Sequence, residues 1–139
     1  MTTTDIQSEI EDLIEEFELL DDWEQRYRYL IDMGKSLIPL SADERSDINK
    51  VKGCVSQVWL VSDVGDDGRV RFRADSDAHI VRGLAALLVR LYSDRTREEI
   101  LSVDARAVLG QIGLSEHLSP QRSNGLTAMI NRIVATARR

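Results

Sequence analysis

Residues 69–74 read Arg-Val-Arg-Phe-Arg-Ala. A charged side chain alternates with an apolar one, and only a β-strand sends successive side chains to opposite faces. Val70, Phe72 and Ala74 fall on one face and Arg69, Arg71 and Arg73 on the other. The chain must therefore build a sheet with one covered face and one wet face. The stretch VSQVWLVS, residues 55–62, is rich in β-formers and predicts the partner strand. DVGDDG, residues 63–68, lies between them, and Asp67 followed by Gly68 marks a hairpin turn.

The cover for that sheet comes from both flanks, where the period changes to that of a helix. Ile6, Ile10, Leu13, Ile14 and Phe17 recur at helical spacing with acids between them, and Thr4 is the candidate cap. Asp21 or Asp22 caps a second helix with Trp23, Tyr27, Leu30 and Ile31 on its apolar face. Together these predict an αα-hairpin. On the far side, Asp75 or Ser76 is expected to cap a helix that turns Ile80, Val81, Leu84, Leu87, Leu88 and Leu91 inward. Thr96 with Glu99 fits a capping box. Asp104 caps a short helix ending near Gly110 or Gly113. Ser119-Pro120 opens a last helix whose stripe is Leu126, Met129, Ile130, Ile133 and Val134. The expected fold class is α+β: a small antiparallel sheet of about three strands packed against several helices, in one domain over 1–139. A chain of 139 residues is long enough to bury such a core without staples.

Between the second helix and the first strand the pattern stops. Residues 36–53, SLIPLSADERSDINKVKG, hold no sustained period, one proline and several turn formers. Loops of this length inside compact domains are often functional. A short strand at 49–52 is the one regular element expected there. At its far end stands Cys54, the chain's one cysteine. A lone cysteine is ordinarily a small buried hydrophobe. This one ends a long loop beside Lys50 and Lys52, and nearby cations favour the thiolate that attacks sulfur or carbon. Gly53 removes side-chain bulk on one side of the thiol and lets the backbone turn sharply.

Charge and composition exclude other chemistries. Lys and Arg number 18 against 24 Asp and Glu, a net charge of −6, which argues against nucleic acid as the main ligand. One cysteine forms no internal disulfide, which fits a reducing compartment. MTTTDIQSEIEDLIEE has neither a basic start nor an apolar core, so no secretory signal is expected. The longest apolar run, GLAALLV at 83–89, is far short of a bilayer span. A cytosolic, cytoplasmic protein is expected. His79 and His117 belong to no zinc-like spacing, and no metal is expected. There is no G-x-G-x-x-G, P-loop, G-x-S-x-G or C-x-x-C.

Two further residues are candidates. Arg122 sits in the first turn of the last helix, where a cation meets the positive end of the dipole. A side chain placed against that preference either pairs with an acid at the surface or holds a thiolate, a persulfide or a carboxylate. Asp77 lies at a helix start, where capping alone accounts for a carboxylate. The Arg69, Arg71 and Arg73 stripe reads as a solvated strand face. Trp23, Tyr27, Tyr29 and Trp59 read as packing residues.

VKGCVSQVWL, residues 51–60, resembles the signature of the SufE/CsdE family of sulfur acceptors, which accompany cysteine desulfurases in iron–sulfur cluster assembly. Three more blocks agree in order and spacing: DWEQRYRYLIDMGKSLIPL at 22–40, DSDAHIVRGLAALL at 75–88 and HLSPQRSNGLTAMI at 117–130. The resemblance implies that Cys54 accepts persulfide sulfur from a SufS/CsdA-type, pyridoxal-phosphate-dependent cysteine desulfurase. It implies that this chain also stimulates that enzyme and passes the sulfur to a cluster scaffold. The cofactor is the partner's, and none is implied for this chain. Gly53, Gln57 and Arg122 are implied to support the acceptor, and Lys52, Val55, Ser56 and Asp77 to meet the partner. Val55 departs from the pattern, standing where the family commonly has glutamine, and makes the wall beside the thiol more apolar. Two other readings stay open. A thiol peroxidase or reductase would often need a resolving cysteine, which the chain lacks. A regulatory binding module would use Cys54 only for packing.

Overall fold

The computed structural model describes residues 6–52 and 57–138, apart from the side chains of 115 and 116. Seven helices and three strands occur among the described residues. They run α1 (Ile6–Glu18), α2 (Trp23–Lys35), β1 (Val58–Val64), β2 (Arg69–Ser76), α3 (His79–Tyr92), β3 (Arg95–Thr96), α4 (Arg97–Ser102), α5 (Ala105–Gln111), α6 (Leu114–His117) and α7 (Pro120–Ala137). The architecture is α+β, as the two periodicities predict.

The caps explain most helix starts. Asp22 accepts a hydrogen bond from the Gln25 N–H at 2.9 Å and opens α2. Thr96 and Glu99 form a reciprocal capping box on α4. Asp104 accepts from the Arg106 and Ala107 N–H groups at the start of α5. Ser119 accepts from the Arg122 N–H, with Pro120 at the first helical position of α7. Thr4 lies outside the described residues.

The sheet is antiparallel in the order β1-β2-β3, with Val64 opposite Val70 and Val58 opposite Ser76. Gly68 takes φ +78° in the turn, a conformation that glycine adopts without steric cost. Three expectations need correction. The first strand, expected over 55–62, runs Val58–Val64 among the described residues, with 55 and 56 outside them, and it passes 62 because the tight turn keeps its pairing with β2 intact. The third strand is Arg95–Thr96, while the strand expected at 49–52 amounts to a single bridge between Lys50 and Trp59 on the outer edge of β1. Asp75 and Ser76 do not cap α3. They continue β2, and the residue before α3 is Ala78, with no side-chain cap bond. The reason is competition: both polar side chains bind elsewhere in the fold.

The core lies where α3 crosses the sheet and α2. Val58, Leu60, Val70, Phe72 and Ala74 from the covered face meet Leu84, Leu87, Leu88 and Leu91, all buried. The α2–α3 crossing is close. A Cβ added to Gly83 would stand 2.2 Å from the Leu30 carbonyl oxygen, so only glycine permits this approach. Arg90 of α3 pairs with Glu9 and Glu16 of α1, and the Tyr29 hydroxyl donates to Glu16. Trp23 stacks on His117 with ring centroids 3.8 Å apart, which ties α2 to α6.

The arginine stripe on the other face is paired within the chain rather than merely solvated. Arg71 reaches Asp67 at 2.9 Å and Asp94 at 3.2 Å, Arg69 donates to the Asp94 carbonyl, and Arg73 binds Glu44. Arg73 and the Ser41 N–H together draw the Glu44 carboxyl down to about 2.

Candidate functional site

Gly53, Cys54, Val55 and Ser56 lie outside the described residues. The frame on either side of them is well defined. The Val51 N–H donates to the Val58 carbonyl at 2.8 Å, and the Leu60 N–H donates to the Asn49 carbonyl at 2.9 Å. The chain therefore runs outward along the edge of β1 to Lys52 and re-enters beside it at Gln57. From α7, Arg132 donates to the Ile48 carbonyl at 2.8 Å and to the Lys50 carbonyl at 3.4 Å, fixing the outgoing side.

The returning side is fixed by the end of β2. The Gln57 N–H donates to Asp77 Oδ1 at 3.0 Å. The Gln57 carbonyl accepts from the Asp77 N–H at 3.2 Å and from Ser76 Oγ at 2.7 Å. Asp77 is thus no helix cap. Its side chain is spent on the backbone of Gln57, and this joins two of the residues singled out from the sequence.

Beside Asp77 a cleft of about 360 Å³ separates the start of α3 from the start of α7. Ala78, Ile80, Val81 and Leu84 form one wall, and Leu126 with Met129 the other. Ser119, Gln121 and Arg122 give it a polar rim. An apolar floor under one guanidinium suits a soft, weakly hydrated anion better than a strongly hydrated one. Arg122 is exposed, and its side chain is not consumed by the cap that its backbone N–H completes. Lys52 and Gln57 are exposed as well. The structure thus joins Gln57 to Asp77 by hydrogen bonds, sets Lys52 one residue beyond the Val51–Val58 pair, and places Arg122 on the cleft that Ala78 borders.

Two residues of this frame escaped the sequence. Arg132 carries no motif, and nothing in the helical stripe of α7 marks it. Asp75 has the parity of the wet face, yet its carboxylate is buried beneath residues 40–45. It accepts from Arg45 at 2.7 Å, from the Leu40 N–H at 3.2 Å and from the Ser76 N–H at 2.9 Å, and pairs with Arg82 at 3.4 Å. Burial pushes this carboxyl up, but the bonds from Arg45, Leu40 and Ser76 and the charge of Arg82 outweigh it and hold it below the usual range. Arg45 also lies 5.7 Å from the Trp59 ring centroid, over the residue that pairs with Asp75 across the sheet. Among the described residues, no group of three or more His, Cys, Asp or Glu side chains is arranged to hold a metal. Nor is any described helix long and apolar enough to cross a membrane.

An uncharacterized SufE-like protein of Rhizobium etli is 49% identical over 127 residues, covering 89% of this chain and 86% of its own. A second, from Rhizobium meliloti, is 47% identical over 131 residues, covering 92% and 94%. The solution structure of a hypothetical protein from Thermus thermophilus superposes with a TM-score of 0.76 at 26% identity, over 94% of this chain and 93% of that one. The family model described as SufE, Fe-S metabolism associated domain, matches residues 11–137, and the chain belongs to that family.

Proposed function

We propose that this chain, acting as one cytoplasmic domain, is a persulfide carrier. Family membership supports a role in iron–sulfur metabolism. In the finer reading, the Cys54 thiolate attacks the outer sulfur of a persulfide held by a pyridoxal-phosphate-dependent cysteine desulfurase of SufS/CsdA type. A new S–S bond forms at Cys54, the S–S bond of the donor breaks, and the donor cysteine leaves as its thiolate. Sulfur moves with no net oxidation or reduction. The same exchange with a cluster scaffold unloads it.

The observation that carries this reading is the out-and-back path of the chain. The described ends on either side of Cys54 are Lys52 and Gln57, Gln57 is bonded to Asp77, and the Arg122 cleft lies next along the chain at Ala78. In this reading Gly53, Gln57 and Arg122 support the thiol, Arg122 by favouring its anion. Lys52, Val55, Ser56 and Asp77 meet the desulfurase. The carrier needs no cofactor of its own for this chemistry.

The test is an intact mass taken without reductant after incubation with a cysteine desulfurase and cysteine. A gain of one sulfur atom, reversed by reductant and absent in Cys54→Ser, is the expected result. No gain with a desulfurase shown to bind would turn the reading to a regulatory binding module.

A further inference from the structure

Asp75 is 1% exposed, and an ionised carboxylate so buried is costly unless several donors compensate it. Its donors are not scattered. Leu40 and Arg45 belong to the long segment between α2 and β1. Arg82, the ion-pair partner, spends its Nη2 on the Leu37 carbonyl of the same segment at 3.2 Å. Asp75 therefore sets where residues 37–45 run. Its two successors, Ser76 and Asp77, make three hydrogen bonds to the backbone of Gln57. One tripeptide, 75–77, thus grips both the 37–45 segment and Gln57.

We propose that Asp75 is a positioning residue for sulfur acceptance: its buried carboxylate sets the path of residues 37–45, and Ser76 and Asp77 beside it fix Gln57, so that one tripeptide couples the long segment to the residue at which the chain returns. The inference rests on the carrier reading above. A buried ion pair is a weak source of stability, since a well-packed apolar replacement often serves as well. Such a pair is directional, however. An apolar contact would let residues 37–45 slide, whereas a carboxylate shared by Arg45, Leu40 and Ser76 accepts one arrangement.

The experiment pairs hydrogen exchange with single-turnover sulfur transfer on the full chain. In Asp75→Asn, exchange over 37–45 and at Gln57 is expected to quicken about tenfold, with α3 and α7 peptides unchanged. The maximal rate of persulfide formation should fall, while the desulfurase concentration giving half that rate stays near the wild-type value. Arg45→Gln, altered at a partly exposed side chain, should show the same signature in weaker form and keeps the test open where Asp75→Asn does not fold. Glu16→Gln, which removes a comparable ion pair from α1, should change neither readout. Unchanged exchange over 37–45 and Gln57 would overturn the inference, as would quickened exchange with an undiminished maximal rate. A wild-type protein that takes up no sulfur would sink the carrier reading and the positioning role together. Failure of the exchange result alone sinks only the latter.

Discussion

The α2–α3 crossing and the 36–52 segment are held by opposite means. The crossing is apolar and intolerant of volume: Leu30, Leu84, Leu87 and Leu88 are buried, and Gly83 touches backbone. The segment has few buried apolar anchors, Leu40 and Val51 among them, and is fastened by charged groups from three other elements: Asp75, Arg82 and Arg132. Apolar burial has no direction, while a hydrogen bond to a carboxylate or guanidinium does. The first kind of contact supplies stability and the second supplies a defined path. This chain combines the two: an apolar frame and a segment held to one path.

The contrast can be broken most forcefully at the crossing. Gly83→Ala places a Cβ against the Leu30 carbonyl and should cost about 3 kcal/mol, read as a fall in urea midpoint. Leu87→Ala empties a fully buried site and should cost about 2–5 kcal/mol by the same measurement. If either leaves the midpoint in place, the core is not where the packing puts it. Arg132→Ala probes the other region. It removes two bonds to backbone carbonyls, should cost about 1 kcal/mol, and should quicken tryptic cleavage at Lys50 and Lys52 more than at sites in α7. The smallest change in stability belongs to Arg122→Ala, within about 0.5 kcal/mol, since only the side chain is lost from an exposed site. Its effect should appear instead in the iodoacetamide rate of Cys54 against pH, displaced toward higher pH. An unshifted profile removes Arg122 from the site.

Acid sharpens the same contrast. The Arg90 hydrogen bond overrides burial and, with the Tyr29 hydroxyl, holds the Glu16 carboxyl below its ordinary 4.5, while Asp75 is held below 3.8. Both pKa values are lower in the fold than in the unfolded chain. The stability each group contributes is therefore complete above its unfolded value and drains away as pH falls through its folded one. The urea midpoint should hold from pH 7 to about 5 and then decline, and Glu16→Gln should make that decline shallower. A decline of the same slope in Glu16→Gln would exclude the α1 ion pair as a source of it.

Long periodic elements were legible in the sequence because their signal is local. The arginine–apolar alternation announced β2, and the stripes of α3 and α7 announced their buried faces. Short or interrupted elements were not. Two residues of β3 hold no period, and the four residues of α6 hold barely one turn. The end of β2 was misread because Asp75 and Ser76 are good capping residues, and their true partners, Arg45, Leu40 and Gln57, are brought there only by the fold. Of the site, Arg122 and Asp77 were singled out by their places at helix starts and given weight by a family resemblance, which alone supplied Gln57. The bonds joining Asp77 to Gln57 link residues 20 apart in the chain, and no spacing rule reports them.

The bridge between Lys50 and Trp59 has one more consequence. An uncovered outer strand offers its amides and carbonyls to any extended polypeptide that passes, and such edges seed aggregation. Here the segment leading to Lys52 occupies part of that edge of β1, so the chain shields itself with its own residues 49–51. Whatever draws that stretch outward bares a strip of β1 at the same moment, and a partner able to lay its own backbone along the strip would be rewarded for doing so.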